Sequence, residues 1–446
     1  MLIVVPACVV AVVLATGGGA SVIGAVANSG PSATAGPPPM LAVALRRGMG
    51  ELVQGDPSGV GWDSGNGLWG GHAPPNWWQS ALAIQTVLRY LDATHDPNPI
   101  FEQLLVGTYK RNVYRPRSPA PRDFALKFMD DTAWWGLAWL DATRYELEQR
   151  HDATDAARFL AVAEYDARYV EAQPKVCGGI PWQRGYPPDT ITSAEFAALA
   201  AKLSIFRSAA GPFHDAQLAS LWLGEAKQAM DWLQRSRLID LKTGRVLDRI
   251  NAACNRYIGG PMTYTQGEVA EALVQIGNAL HNRAYYDQAA RFLRFAISPS
   301  SGLTWHGILQ DHCEATPGDC QDLHDHLDFP AFKGVFINAV ADWSAATGSS
   351  EFAGFLRTQA IAVLRNATRI SQDSPQPCAT QDTCQFTLGW RVSVDPSREP
   401  PHPTVATQMS ALDALIAELR QPKTSARSAT AATKQAAGRH RRASAR

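Results

Sequence analysis

Surplus charge is missing from this sequence: 41 Lys and Arg side chains offset 41 Asp and Glu, for a formal net charge of zero. The balance is uneven along the chain. The last 26 residues hold seven Lys or Arg and no acid, which leaves the remainder with 34 basic against 41 acidic groups, a net of −7. A mildly acidic body gives no footing to nucleic acid or a polyanion and suits a neutral partner. No C-x-x-C pair occurs, which removes the common zinc frameworks; Asp322-Leu-His-Asp-His-Leu-Asp328 is the one dense cluster of ligand type and reads as a solvated or cleft-rim loop. Strand-like alternation is scarce, so the core is not built on sheets. The apolar run from Met1 lacks the basic flank of a strong export signal, although Ala25-Val-Ala27 has the small-residue form of a cleavage site.

What is present is helical periodicity. Apolar residues recur at spacings of three and four over about 74–94, 130–148, 153–172, 190–209, 213–236, 265–297, 330–347, 351–368 and 404–420. Between these runs lie loops rich in Gly, Pro and Trp, at 176–189, 254–264, 298–329 and 371–402, longer than helix connections usually are. Long loops on a helical scaffold are where binding and chemistry concentrate.

The pair Asp130-Asp131 opens the segment Thr132-Ala-Trp-Trp-Gly-Leu-Ala-Trp-Leu-Asp-Ala142. An Asp at a helix start is ordinarily a cap. Here a helix would also put Asp131 on one face with Trp134 and Trp135, at three and four residues, and indole faces are surfaces on which sugars stack. Glycoside hydrolysis needs one ionised and one protonated carboxyl, and two like charges in one poorly solvated cleft separate in pKa. Adjacent residues allow the carboxyls to lie about 5 Å apart, the separation of a retaining mechanism. Trp182 after Gly178-Gly179, Trp69 among glycines, and Tyr264 before Gln266 lie in loops and are candidate sugar platforms. Gln266 and Lys333 are candidates to bond hydroxyls, and Trp139, Trp222 and Asp141 read as packing or solvated positions.

These motifs resemble the α-1,6-mannanases of glycoside hydrolase family 76. The resemblance rests on the Asp-Asp pair followed by Trp134-Trp135, on Gly67-Leu-Trp-Gly70 with Trp77-Trp78, and on Cys177-Gly-Gly-Ile-Pro-Trp182. Thr263-Tyr-Thr-Gln-Gly267 and Phe332-Lys-Gly-Val-Phe336 extend it, so that it spans about residues 60 to 415. It departs at Thr265, where the family usually has Asn, and at Pro187-Pro-Asp-Thr-Ile-Thr-Ser-Ala194, a segment normally carrying Lys-Asn and a second Asn near Ser193. The resemblance implies an all-α fold, an (α/α)6 barrel (toroid) with long loops forming a cleft at one end. It also implies Asp130 as nucleophile and Asp131 as general acid/base. The expected substrate is α-mannan, cut internally at α-1,6 linkages, with Trp78, Trp134, Trp135, Trp182, Tyr264, Gln266 and Lys333 binding it. Two carboxyls supply both nucleophile and proton, so the chemistry calls for no metal or organic cofactor.

Four segments are expected: residues 1–27 as a signal peptide or membrane anchor, 28–45 as a disordered linker, 46–420 as the hydrolase domain, and 421–446 as a disordered basic tail. The tail is a candidate for contact with acidic cell-wall polymer or lipid headgroups. Removal of Cys8 with the leader leaves six cysteines, an even number suited to disulfides in a secreted or cell-surface protein. Among 15 connectivities the economical one pairs Cys313 with Cys320, Cys378 with Cys384 and Cys177 with Cys254. A monomer is expected. Two other readings compete: a transglycosylase that passes the glycosyl group to another sugar on cell-wall glycans, and a non-catalytic α-mannan-binding surface protein.

Overall fold

Apolar residues at three-and-four spacing close a ring of helices. The structure is a computed structural model and describes residues 39–70, 76–113, 124–310, 314, 328–367, 378, 384–391 and 403–421. Twelve α-helices run through the described residues: α1 (Pro39–Gln54), α2 (Asn76–Thr94), α3 (Ile100–Asn112), α4 (Met129–Tyr145), α5 (Ala153–Glu171), α6 (Thr190–Ser208), α7 (Ala216–Arg235), α8 (Thr263–Leu280), α9 (Arg283–Ile297), α10 (Phe329–Thr347), α11 (Ala353–Ala362) and α12 (Val405–Leu419). Four antiparallel two-stranded hairpins decorate them: Trp62–Asp63 with Leu68–Trp69, Ile239–Asp240 with Arg245–Val246, Arg249–Ile250 with Tyr257–Ile258, and Thr304–Trp305 with Ile308–Leu309.

The even-numbered helices form the inner ring. Each packs on the next, α2 on α4, α4 on α6, α6 on α8, α8 on α10 and α10 on α12, and α12 returns to α2. The odd-numbered helices lie outside, α5 on α4, α7 on α6, α9 on α8 and α11 on α12, which is the (α/α)6 toroid. Sequence sets the layer. Inner α6, α8, α10 and α12 are buried on nearly all sides, whereas outer α9 buries only a stripe, Ala289, Ala290, Phe292, Leu293 and Ala296. Small residues let inner helices approach: a Cβ on Gly267 would lie 2.9 Å from Phe336 Cα, and one on Gly334 2.8 Å from Ser410 Cα.

Two expectations are corrected here. The linker reading of 28–45 fails from Pro39 onward, because Leu41, Ala44, Leu45, Met49 and Leu52 make a buried helical stripe. The single run 265–297 is two helices: His281 takes a left-handed φ of 50° as the C-cap of α8, and Asn282 Oδ1 accepts the Ala284 N–H at 3.0 Å to start α9. The leader, most of the expected linker and the basic tail lie outside the described residues, as do Cys313, Cys320 and Asp322–Leu327. No helix among the described residues is long and apolar enough to cross a membrane.

The inner helices share one direction. Their C-terminal ends surround a cavity of about 560 Å³ at the far end of the ring. There Lys202 lies between Asp141 at 3.5 Å and Glu271 at 3.6 Å, and Asp342 takes Arg420 at 3.0 Å. Asp141, expected to be solvated, is therefore a paired and mostly buried group, since α4 turns it toward the ring interior. Cations at helix C-termini suit the negative end of each dipole.

Candidate active site

At the opposite mouth the inner-helix N-termini converge, and Asp130 and Asp131 occupy the first turn of α4. The N-cap of that helix is Phe128, in extended backbone with no side-chain cap, so neither aspartate serves as the cap. Thr132 instead ties the helix to the preceding segment, its hydroxyl donating to Phe128 O at 2.9 Å and accepting the Leu126 N–H at 3.0 Å. The extended geometry of Phe128 comes from pairing with the loop 176–189: Phe128 bridges Gln183, and the Met129 N–H reaches Trp182 O at 2.8 Å.

That loop is positioned by three constraints. A disulfide joins Cys177 to Cys254, the Trp232 indole donates to Cys177 O at 3.0 Å, and Gly179 lies flat on the Trp232 ring, where a Cβ would sit 2.3 Å from Cζ2. Cys378 is likewise bonded to Cys384, so both expected pairs that fall on described residues are present. The loop delivers Trp182, whose ring packs on Phe128 at 4.8 Å and whose Nε1–H donates to Asp130 Oδ2 at 2.9 Å. Asp130 Oδ1 accepts the Asp131 N–H at 3.0 Å.

The two carboxyls differ in their surroundings. Burial and the charge of Asp131 push Asp130 well above the usual carboxylate range, while the Trp182 indole and the Asp131 N–H pull it back. Burial and the charge of Asp328 push Asp131 up to about 7, against the pull of Lys127. Of the two, only Asp130 has N–H donors aimed at its oxygens among the described residues, so it is the member of the pair whose ionised form hydrogen bonding favours. Both sit at a helix N-terminus, which favours negative charge.

Around the pair, Trp78 and Trp134 stack at 6.5 Å, and Trp78 Nε1–H donates to Asp328 Oδ1 at 3.1 Å. Half-buried Tyr264 stacks face to face on Phe332 at 3.8 Å. Beyond Trp182 the exposed Tyr186 meets its ring edge at 6.1 Å. Trp78 and Trp134 are largely buried, at 9% and 4% exposure, whereas Trp182 and Tyr264 are half-buried and leave more of their rings open.

Four aromatic or polar expectations are corrected. Trp135 is fully buried in an aromatic core with Trp77, Phe124 and Trp139, because α4 turns it away from the mouth. Trp69 is fully buried, its Nε1–H on Leu52 O. Gln266 is fully buried: Oε1 accepts the Val246 N–H at 2.7 Å, and Nε2 donates to Gly244 O at 2.9 Å and Phe292 O at 3.0 Å, which pins a hairpin to α9. Lys333 is also fully buried, with Nζ on Glu314 Oε2 at 2.8 Å and Leu388 O at 2.7 Å and over the Trp390 ring. Both long polar side chains spend all of their hydrogen bonds inside the protein.

Three acids of the site are not singled out by the sequence reading. Asp328 lies within the cluster read as a rim loop. Asp189, 7% exposed, reads in sequence only as the start of a helix, and its Oδ1 accepts the Thr192 N–H at 3.1 Å as the N-cap of α6. Glu195 is fully buried nearly two turns further on, and neither of its carboxyl oxygens has a hydrogen-bond partner among the described residues.

A toroid of parallel inner helices with a divided pair of carboxyls at its aromatic mouth defines a glycosidase-type scaffold. The chain matches the model for glycosyl hydrolase family 76 over residues 60–432 and belongs to that family. Among solved structures it is similar to the α-1,6-mannanase GH76A of Salegentibacter sp. HEL1_6, at 20% identity and a TM-score of 0.62, covering 85% of this chain and 98% of that one. An inactive variant of the same mannanase with two adjacent aspartates replaced, in complex with α-1,6-mannotriose, matches at 19% identity and a TM-score of 0.62, over 85% and 99% of the two chains. Dfg5 from Chaetomium thermophilum, in complex with glucosamine, matches at 21% identity and a TM-score of 0.66, over 86% and 93%. No curated protein matches the chain.

Proposed function

We propose that the protein is an exported, retaining glycosidase that cuts α-1,6-mannosidic linkages inside mannan-type polysaccharide, with Asp130 as nucleophile and Asp131 as general acid/base. The observation that carries this reading is the asymmetry of hydrogen bonding in the pair: among the described residues Asp130 receives two N–H donors, which favour its ionised form, and Asp131 receives none. Asp130 attacks the anomeric carbon as Asp131 protonates the departing oxygen. Asp131, now ionised, takes a proton from water, which releases the sugar from Asp130 with its original configuration. Trp78, Trp134, Trp182 and Tyr264 serve as the sugar platforms.

The linkage is drawn from relatives. In the Salegentibacter mannanase the variant with two adjacent aspartates replaced is inactive and holds α-1,6-mannotriose. Disulfides at Cys177–Cys254 and Cys378–Cys384 support an oxidising, extracellular setting.

A panel of linear and branched α-mannans, read for product size and anomeric configuration, tests the reading. Internal cleavage of linear α-1,6-mannan with retained configuration is expected. Inverted product, or activity confined to another linkage, overturns it. Adding a sugar acceptor separates hydrolysis from transfer, and binding without any released sugar would favour the non-catalytic reading.

A further inference from the structure

The cavity of about 560 Å³ at the C-terminal end of the inner ring lies within the range of about 300–1,000 Å³ usual for ligand pockets. Every inner helix supplies part of its wall: Arg89 from α2, Asp141 from α4, Lys202 from α6, Gln275 from α8, Asp342 from α10 and Arg420 just past α12. The helix connections at this end are short, with only His281 and Asn282 between α8 and α9, so helix ends form the walls.

The lining is highly charged yet balanced. Its cations are Arg89, Arg144, Lys202 and Arg420. Its acids are Asp92, Asp141, Glu148 and Asp342, with Glu271 added as a second partner of Lys202. The two signs alternate in space. Lys202 Nζ stands between Asp141 at 3.5 Å and Glu271 at 3.6 Å, and Asp342 stands between Arg89 at 3.8 Å and Arg420 at 3.0 Å.

Three of these gaps exceed the span of about 2.7–2.9 Å at which a charge-assisted hydrogen bond closes. Arg144 and Asp92, by contrast, do close, at 2.8 Å. Ion pairs whose only work was to tie the ring would close in the same way. Here donors and acceptors stand apart around a space, and contacts at such distances are ones that an intervening group can bridge.

A hydroxyl group both donates and accepts, so it can serve a carboxylate and a neighbouring cation together, and it brings no charge into a balanced lining. An anion or a metal ion would meet a repelling group beside each attracting one. A zwitterion needs the two signs gathered at separate ends. Phe206 and half-buried Tyr286 add ring surface of the kind on which sugar faces stack. The Tyr286 hydroxyl donates to Asn278 Oδ1 at 2.7 Å, and Asn278 Nδ2 donates to Gln275 Oε1 at 3.2 Å, which orients two amides of the wall.

We propose that this cavity is a second binding site, at the opposite end of the ring from the acid pair, for a small neutral polyol of the monosaccharide or disaccharide class. Nothing in it depends on the reaction assigned to Asp130 and Asp131.

The test uses the full chain carrying D130N and D131N, so that no sugar is consumed. It is titrated by calorimetry with mannose, glucose and α-1,6-mannobiose, and with glycine, inorganic phosphate and magnesium chloride as zwitterion, anion and cation. A345W and A209W each place an indole at the cavity from an exposed alanine, one on α10 and one at the end of α6, so that either serves should the other melt early. Saccharide is expected to bind a site that each plug weakens about tenfold or more, a loss of about 1.4 kcal/mol, at an unchanged melting temperature.

Saccharide binding that neither plug weakens puts the sugar elsewhere and overturns the proposal. So does the binding of no saccharide at all, or plug-sensitive binding of glycine, phosphate or magnesium in place of sugar. A wild type that cleaves no α-mannan would remove the glycosidase reading and leave these titrations to decide the cavity.

Discussion

Trp182 donates its indole N–H to Asp130 at 2.9 Å across 52 residues of chain, from a loop tied down by a disulfide at Cys177. The bond joins the two parts of the site that sequence presents separately, an acid pair on a helix and a Trp in a glycine-containing loop. It makes Trp182 a probe of how far hydrogen bonding offsets the burial that raises the pKa of Asp130.

W182F removes the donor while preserving a ring against Phe128. That N–H lowers the pKa of Asp130, so its loss raises it. A nucleophile that must be ionised then demands a higher pH, and the acidic limb of the kcat/KM profile should move upward, with about a tenfold or larger loss at low pH. A limb that stays in place would show that Trp182 acts only as a sugar platform.

D130N and D131N should each lower turnover at least about a hundredfold, the scale of a lost acid/base partner or more. Neither aspartate caps α4 and both are pushed up by burial, so neither change should lower Tm. Circular dichroism melts beside a mannan reducing-end assay measure both. Full activity of D131N would remove it as general acid/base.

Stability should fall as pH rises from about 4 to about 8. Glu268 is pushed up to about 8 and Asp413 to about 7, each chiefly by burial, so the folded protein binds these protons more tightly than the unfolded chain. Their stabilisation is complete below the unfolded carboxylate pKa of about 4 and is lost as pH passes the raised values. Urea midpoints across this range should decline for wild type and decline less steeply in an E268Q/D413N double variant. A flat wild-type curve would contradict the shifts.

Q266L should cost about 1–3 kcal/mol for each backbone group it leaves unpaired, namely Val246 N–H, Gly244 O and Phe292 O. K333M should cost about 3–5 kcal/mol by removing the cation that pairs with the buried Glu314 carboxylate. In both variants that still fold, KM for mannan should be unchanged. A raised KM with unaltered melting would restore the expectation that these residues touch the sugar.

The acid pair was legible because its signal is local: adjacent carboxyls at a helix start, three and four residues before two indoles, need no knowledge of the rest of the chain. The same spacing misled for Trp135, since residues on neighbouring positions of a helix near a ring mouth divide between the opening and the core. Asp189 escaped notice because a helix cap is also a local signal, and a sufficient one.

The sequence by itself determined the helices, most of their limits, the two disulfides at Cys177–Cys254 and Cys378–Cys384 as economical pairings, and the presence of Asp130 and Asp131 together. Periodicity and propensity act within a few turns, so these could be read directly. Ring closure was decided only when α12 packed on α2. So was the fate of each polar side chain, because a Gln, Lys or Asp binds ligand, pairs with backbone or loses its charge according to what the far parts of the chain bring against it. Gln266 and Lys333 found backbone and a carboxylate and became structure. Asp130 found the Trp182 indole, and with it a means of carrying charge in a site crowded with acids.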